Sequence, residues 1–328
     1  MNNNRRTVLA SALAASITAA VPLSAFAQKK IVVGFSQIGA ESEWRTANTN
    51  SMKSAAAAAG IELKFSDAQQ KQENQIKALR SFIAQKVDVI ALTPVVESGW
   101  DTVLKEIKDA KIPLILMDRS VDSKDTSLYA THIGFDFVKQ GEMAGQWLAD
   151  RAKTMKGDIN VVELQGTVGS APAIDRKKGF ETAIKGNPNI KIIRSQTGDF
   201  TRAKGKEVME GFLKAENGGK DICAMYAHND DMAVGAIQAI KDAGLKPGTD
   251  ILVVSIDAVP DIFAAMVAGE ANATVELTPN MAGPAFDALD AFLKDGKQPE
   301  KFIITESKLY TPADNPQGEY DNRKGLGY

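Results

Sequence analysis

Short apolar runs alternate with longer segments of helical period along almost the whole of this 328-residue chain, and this alternation constrains the fold more than any other feature. Between Lys30 and about His132 the strand-like runs are IVVGFSQ, IELKFSD, VDVIALTP and IPLILMD, each separated from the next by a helical segment. Apolar runs of this length divided by helices are typical of parallel strands that are covered on both faces. The pattern therefore predicts a doubly wound parallel sheet.

The same rhythm restarts after His132 and predicts a second α/β unit. Helical segments alternate here with the apolar runs INVVELQG, IKIIRSQTG, ICAMYAH and ILVVSID. Two similar units in tandem leave a cleft between them, which is a natural binding site. Further helix and strand pieces follow, including ATVELT and FIITESKLY, and we expect crossings between the units near residues 132–136, 276–279 and 303–306.

These crossings define two predicted lobes joined by a multi-crossing hinge. The N-terminal lobe would comprise residues 28–133 and 278–304, and the C-terminal lobe residues 134–277 and 305–328. The expected fold class is therefore α/β, with two doubly wound parallel-sheet lobes. A hinge of several crossings would allow the lobes to close around a ligand.

Residues 1–27 have the composition of a targeting segment. Arg5 and Arg6 precede an apolar, alanine-rich stretch, and residues 25–27 (AFA) fit a small-x-small cleavage site. A membrane anchor is the alternative, but the stretch is short and Pro22 interrupts it. We expect a signal peptide that is cleaved after Ala27 and an exported mature chain.

Charge and cysteine content exclude several classes of protein. The chain carries 39 basic and 41 acidic residues, a net charge of −2, which gives no basic footprint for nucleic acid. Outside the targeting segment no run approaches the roughly 20 apolar residues that span a bilayer, so membrane insertion is not expected. Cys223 is the only cysteine, so an intrachain disulfide is impossible.

Polar side chains follow five of the predicted strands. In parallel α/β sheets a ligand binds beyond the carboxyl ends of the strands, so these residues are the first candidates for function. An indole face can stack on a sugar, and arginine next to a carboxylate can both donate to and accept from hydroxyl groups. The candidates are Trp44, Arg45, Asp118, Arg119, Arg176, Asn229 and Asp257.

Each candidate also has a structural alternative. Trp44 could pack on the surface of its domain, and Arg119 could form a local ion pair with Asp118. Asn229 and Asp257 could cap helices, because both residue types are favoured at helix starts. We weigh capping less for Asn229, since the two aspartates that follow it could supply the cap instead.

Motifs for catalysis or for a bound cofactor are weak. His132 and His228 are the only histidines, which leaves few ligands for a zinc site. The sequence contains neither a GxxxxGK[ST] phosphate loop nor a GxSxG nucleophile elbow. We therefore expect no cofactor, no metal and no catalytic residue.

Several motifs taken together resemble the periplasmic sugar-binding proteins of ABC transporters, of the ribose- and galactose-binding type. The resemblance covers essentially the whole mature chain and looks strongest with galactofuranose-binding members, through VGFSQIGAESEWR, ILMDRS, VVELQGTVGSAPAIDRKKGF and YAHNDDMAVGAIQAIKDAGLKPG. It implies the type I periplasmic binding protein fold and adds Glu41, Ser42 and Glu43 to the sugar-binding residues. Glu43 stands where those members have a glycine, and Ile159 stands where they have the cysteine that pairs with the counterpart of Cys223.

The resemblance implies a periplasmic, monomeric substrate-binding component rather than an enzyme. Such a protein captures a monosaccharide, here galactofuranose first, and delivers it to a membrane permease that a partner ATPase drives. Ribose, galactose or arabinose as ligand, or a part in sugar-sensing chemotaxis, stays open. Two rival classes are an exported α/β enzyme, which would need a poised nucleophile or base, and a sugar-responsive DNA-binding regulator, which would begin with a helix-turn-helix.

Overall fold

The computed structural model describes residues 30–325, so the predicted signal peptide lies outside the described residues. Strands and helices alternate along this part of the chain, as the rhythm of the sequence predicts. The strands are Val32–Gln37 (β1), Glu62–Asp67 (β2), Val89–Leu92 (β3), Leu114–Asp118 (β4), Thr131–Phe135 (β5), Ile159–Gln165 (β6), Ile190–Thr197 (β7), Ala224–Ala227 (β8), Leu252–Asp257 (β9), Ala273–Glu276 (β10), Phe302–Thr305 (β11) and Leu309–Tyr310 (β12).

Ten α-helices are assigned within the described residues. Several begin at a side chain that accepts a hydrogen bond from the first turn, such as Ser42, Asp136 and Thr201. The helices are Glu43–Ala58 (α1), Gln72–Ala84 (α2), Asp101–Asp109 (α3), Phe137–Ala152 (α4), Ala171–Ile184 (α5), Arg202–Ala215 (α6), Asp230–Asp242 (α7), Pro260–Val267 (α8), Ala282–Asp295 (α9) and Pro316–Gly325 (α10).

The strands form two six-stranded sheets. The first sheet has the order β11-β5-β4-β3-β1-β2, and every pairing in it is parallel. The second has the order β12-β10-β9-β8-β6-β7 and is parallel except for β12, which runs antiparallel to β10. The predicted α/β class with two doubly wound, parallel-dominated sheets is confirmed.

Both faces of each sheet are buried, which explains why the strands read as continuous apolar runs. Alternate residues of one strand enter different cores: Val89 packs with the α1 side of the first sheet, whereas Ile90 packs with α2 and α3. In the second sheet, Tyr226 and Ala227 divide in the same way between the core beside α4 and α5 and the core beside α6 and α7. Four separate hydrophobic cores therefore fix the two sheets between their helical layers.

Two features differ from the sequence-based expectation. β5 occupies a stretch where we expected only a crossing, because polar Thr131 and His132 and a glycine break its apolar run; both polar side chains are nevertheless buried. The run FIITESKLY forms two strands instead of one, with β11 in the first sheet and β12 in the second. The lobe boundaries stay a prediction. Among the described helices, none combines the length and hydropathy required to cross a membrane.

Candidate functional site

The loops beyond the strand ends of the two sheets meet around one narrow cavity of about 20 Å³. A volume of this size holds about one water molecule and lies well below the range for small-molecule sites, about 300–1,000 Å³, so the cavity must widen to take a ligand. Nine of the ten predicted site residues line it, and three residues that we did not predict line it as well. The lining consists of Glu41, Ser42, Trp44, Arg45, Asp118, Arg119, Pro172, Arg176, Phe200, Asn229, Asp257 and Leu277.

Arg45 holds the first sheet's side of the cavity together. Its Nη2 donates to Asp118 Oδ2 at 2.6 Å and its Nε donates to Glu41 Oε1 at 3.1 Å, with all three side chains almost fully buried. Burial acts to lower the pKa of Arg45, but Asp118 and Glu41 outweigh it, so that the pKa lies above its usual value. The guanidinium is therefore a permanent cation that is oriented by two carboxylates and still has one free nitrogen.

Arg176 plays the corresponding part on the second sheet's side. Its Nε donates to Gln140 Oε1 at 3.0 Å, its Nη1 donates to the His228 carbonyl, and its Nη2 lies 3.5 Å from Asp257 Oδ1. Burial raises the pKa of Asp257 well above its usual range, although the nearby Arg176 cation acts to lower it. Asp257 is therefore poised to donate a proton in a hydrogen bond as well as to accept one.

Asp118 and Asp257, which end β4 and β9, both have positive φ angles, of 61° and 130°. Residues other than glycine rarely adopt such angles, and each instance costs about 1–3 kcal/mol. Strain of this kind clusters at functional sites, where surrounding contacts hold it in place. The two sheets thus present a strained aspartate paired with an arginine from each side.

Arg119 lies between the two sides with few partners of its own. Its Nη1 donates to the Val95 carbonyl at 3.0 Å, and its guanidinium carbon lies 5.1 Å from the ring centroid of Phe200. Burial, reinforced by the neighbouring Arg45 cation, lowers the pKa of Arg119 to about 10. This is an unfavourable place for a charge unless a further hydrogen-bond acceptor is bound.

Three buried polar atoms on cavity-lining residues have no hydrogen-bond partner within the described part of the chain. They are Glu41 Oε2, Arg45 Nη1 and Arg119 Nε. Such atoms are rare in folded proteins, because leaving one unpaired costs about 1–3 kcal/mol. One acceptor and two donors around a closed cavity match a small molecule that carries several hydroxyl groups, since each hydroxyl both donates and accepts.

Trp44 both lines the cavity and packs in the core. Its side chain is only 2% exposed, and its Nε1 donates to the Leu277 carbonyl. The Arg45 guanidinium carbon lies 4.7 Å from the ring centroid and so occupies one face of the indole. A ligand can contact only the rest of the ring surface, so the predicted stacking of a sugar on Trp44 is restricted to that part of the indole.

Comparisons with known proteins agree with this geometry. Residues 33–298 match the model of the periplasmic binding protein domain. The chain belongs to the periplasmic binding protein family. It is 60% identical over 328 residues to the galactofuranose-binding protein YtfQ of Escherichia coli (strain K12), covering 99% of each chain.

Solved structures of the family superpose closely on this periplasmic binding protein. A crystal structure of a galactofuranose-binding protein aligns with a TM-score of 0.89 and 63% identity, covering 91% of this chain and 100% of the other. The periplasmic component of the arabinose ABC transporter from Shewanella sp. ANA-3, bound to α- and β-L-arabinofuranose, aligns with a TM-score of 0.85 and 57% identity, covering 90% and 96%. The type I fold implied by the sequence resemblance is confirmed.

Asn229 in this binding protein has a capping role that we had discounted. Its Oδ1 accepts from Met232 N at 3.1 Å at the start of α7, and its Nδ2 donates to the Phe200 carbonyl at 3.1 Å. Asp230 is unavailable as a cap because it is buried and accepts from the Val259 amide and two hydroxyl groups. Asn229 therefore orders the wall of the cavity that it lines.

Glu43 is the one predicted site residue that does not line the cavity. It is the first residue of α1, and successive residues of a helix point about 100° apart, so Glu43 faces away from its neighbour Trp44, which lines the cavity. Its carboxylate lies instead near Arg202, with Oε2 at 3.7 Å from Nη2. Glu43 is therefore not among the residues that line the cavity, and its predicted part in sugar binding stays a prediction.

Sequence reasoning missed Phe200, Pro172 and Leu277. Phe200 follows β7 and Leu277 follows β10, so the strand-end rule could have found both. Both residues are apolar, whereas the candidates at the strand ends were polar residues and tryptophan. Among the described residues, no group of three or more histidine, cysteine or acidic side chains could hold a metal ion.

Proposed function

We propose that this protein is the periplasmic substrate-binding component of an ABC sugar importer, with galactofuranose as its first candidate ligand. The mature chain would capture the sugar between two lobes, comprising residues 28–133 with 278–304 and residues 134–277 with 305–328. It would then deliver the sugar to a membrane permease powered by a separate ATPase. We also propose that it acts as a monomer, is exported by a signal peptide cleaved after Ala27, and catalyses no reaction.

The closed cavity with its unpartnered donors and acceptor is the observation that carries this proposal. Two carboxylate-arginine pairs, Asp118 with Arg45 and Asp257 with Arg176, face it from opposite sheets, and Arg119 lies between them. With Glu41, three arginines and three carboxyl groups line the cavity, and this mixture of donors and acceptors suits a neutral polyol better than an anion. The relatives named for galactofuranose and arabinofuranose support a furanose ring as the substrate.

Ring-locked sugar analogues test the proposal directly. Mature protein is titrated with 1,4-anhydro-D-galactitol, which is locked as a furanose, and with 1,5-anhydro-D-galactitol, which is locked as a pyranose, alongside D-galactose and L-arabinose. Thermal melting and tryptophan fluorescence report binding, and a ligand at 100 times its Kd stabilises the protein by about 2.7 kcal/mol. We expect the furanose analogue to raise the melting temperature and the pyranose analogue to leave it unchanged.

Two results would contradict the proposal at different levels. Stabilisation by the pyranose analogue alone would refute the furanose assignment and favour a galactose- or ribose-type ligand. Absence of stabilisation by any sugar would refute the transport role. Consumption of a sugar on prolonged incubation, followed by chromatography, would instead support an enzyme.

A further inference from the structure

The start of α1 contacts the opposite sheet's helices at the rim of the cavity. The Glu43 amide donates to Asp231 Oδ2 at 2.8 Å, and the Glu43 carboxylate lies 3.7 Å from the Arg202 guanidinium. Asp231 belongs to α7, Arg202 to α6, and Asp261, which also contacts Arg202, to α8. We call Glu43, Arg202, Asp231 and Asp261 the rim cluster; it joins the two sides of the closed cleft.

Charge is unbalanced in the rim cluster. Arg202 lies 3.0 Å from Asp231 and 2.7 Å from Asp261, so two carboxylates are already held closely by one cation. Glu43 is the third and most distant carboxylate, and its Oε2 is buried without a hydrogen-bond partner. One guanidinium cannot neutralise three carboxylates, and only Glu43 is contributed by the first sheet's side.

We propose that Glu43 is a proton-dependent brake on closure of the cleft, so that this protein binds its sugar more tightly as the pH falls from about 8.5 to 5.5. When the cleft opens, the Glu43 carboxylate leaves the rim cluster and is hydrated. When it closes, an ionised Glu43 is drawn against Asp231 and Asp261, which opposes closure. A protonated Glu43 removes that repulsion.

The titration of Glu43 supports this direction. Burial, followed by the charges of Asp261 and Asp231, raises the pKa of Glu43 from 4.5 to about 7, and Arg202 offsets only part of this. Because the pKa is higher in the closed form than in a hydrated carboxyl, closure takes up a proton between these values. Closure is therefore favoured below about pH 7 and is opposed as the pH rises through it.

The charged groups that face Glu43 come from three helices of the second sheet. They are Arg202 on α6, Asp230 and Asp231 on α7, and Asp261 on α8. Burial also raises the pKa of Asp230, to about 7, and that of Asp231. These two groups can add a pH dependence of their own, which is why the test compares the protein with variants at Glu43.

Sugar affinity as a function of pH is the first readout, and it rests on the proposed function. Kd for D-galactose and L-arabinose is measured by calorimetry between pH 5.5 and 8.5 for wild type, Glu43→Gln and the control Glu106→Gln. Glu106 pairs with Arg80 between α2 and α3, within one side of the cleft. The pKa of Glu43 is 4.5 when the carboxyl is hydrated and about 7 in the closed form, so Kd can change by at most roughly 30-fold between pH 5.5 and 8.5. Because Glu43 is partly exposed, we expect a smaller change of about tenfold.

Any change in sugar affinity that Glu43→Gln shows between pH 8.5 and pH 5.5 comes from other groups. Over the same range, the affinity of wild type and of Glu106→Gln should increase by about tenfold more than that of Glu43→Gln. At pH 8.5 Glu43→Gln should bind more tightly than wild type. Asp261→Asn should shift the midpoint of the wild-type transition to lower pH, because a carboxylate that raises the pKa of Glu43 is removed. Identical pH profiles for wild type and Glu43→Gln would overturn the proposal.

A second readout decides the proposal even if no sugar binds, in which case only the transport role fails. Spin labels at Lys105→Cys on α3 and Lys241→Cys on α7, in a Cys223→Ala background, report the distance across the cleft without ligand. We then expect the short-distance population to grow as the pH falls from 8.5 to 5.5, and to grow markedly less when Glu43→Gln is added, because only the contribution of groups such as Asp230 and Asp231 remains. The same distance distribution in both proteins at both pH values would overturn the proposal.

Discussion

Replacement of Arg119 by methionine should abolish sugar binding without destabilising the protein. Methionine fills similar volume without a charge. In the closed structure the pKa of Arg119 falls from 12.5 to about 10, mainly through burial, which corresponds to about 3 kcal/mol acting against the charged side chain. Against this, Arg119→Met loses a charged hydrogen bond to Val95 O, about 1.5–3 kcal/mol, and a contact with the Phe200 ring, about 0.5–2 kcal/mol.

These contributions nearly cancel, so the ligand-free variant should melt within about 3 °C of wild type. When the cleft opens, the Arg119 guanidinium is hydrated, and the difference in melting temperature between the variant and wild type becomes still smaller. Binding responds differently, because the ligand loses the charged donors of Arg119. Two charge-assisted hydrogen bonds contribute about 3–6 kcal/mol, which raises Kd by roughly two to four orders of magnitude.

Melting curves with and without D-galactose, together with calorimetric titration, measure both effects. Arg80→Met is the matched control, since its guanidinium makes two hydrogen bonds of 2.8 Å to Glu106 on the surface. The control should bind as wild type does. Retention of affinity within threefold by Arg119→Met would remove Arg119 from the site, and a fall of 10 °C or more in the ligand-free melting temperature would show that Arg119 is mainly structural.

Three further predictions follow from the surroundings of the cavity. Asp257→Asn should weaken binding less than Asp118→Asn in calorimetry at pH 7, because burial raises the pKa of Asp257 well above its usual value, whereas Asp118 lies in an ion pair of 2.6 Å; equal losses would contradict this. Gly166→Ala should lower both affinity and melting temperature, since an added Cβ would lie 1.9 Å from the Phe200 ring; an unchanged Kd would show that the ring position is unimportant. Glu163→Gln should lower the free energy of urea unfolding by about 3 kcal/mol at pH 7, because hydrogen bonds hold the pKa of Glu163 below its usual value despite burial. That difference should decline progressively as the pH falls below about 4 and be lost only well below that pH, and a difference independent of pH would refute the assignment.

The position of the cavity could be predicted from the sequence because strand ends were identifiable. Each buried strand is a continuous apolar run, and its end is marked by the first polar residue, as at Asp118 and Asp257. Parallel topology then brings these ends together at one edge of each sheet. No contact between distant residues had to be known for this step, and all seven residues chosen from the strand ends line the cavity.

The roles of individual side chains could not be predicted in the same way. Glu43 is adjacent in sequence to two cavity residues, but one step along a helix turns a side chain by about 100° and directs it to the rim. Asn229 caps α7 because its neighbour Asp230 is taken up by hydrogen bonds to residues up to 44 positions away. Such roles depend on competition among distant partners, which the spacing of residues does not record.

Backbone strain adds an argument that the sequence alone could not supply. An aspartate at positive φ is costly, yet Asp118 keeps φ at 61° because a 2.6 Å ion pair to Arg45, 73 residues away, holds its side chain, while its carbonyl lies 3.1 Å from His132 Nε2. Asp257 ends its strand with a similar deviation and also faces an arginine. A chain selected for stability alone would relieve this strain with glycine, so the paired, strained aspartates point to a requirement for their carboxyl groups. That requirement is best met by a ligand with hydroxyl groups held from both sheets at once.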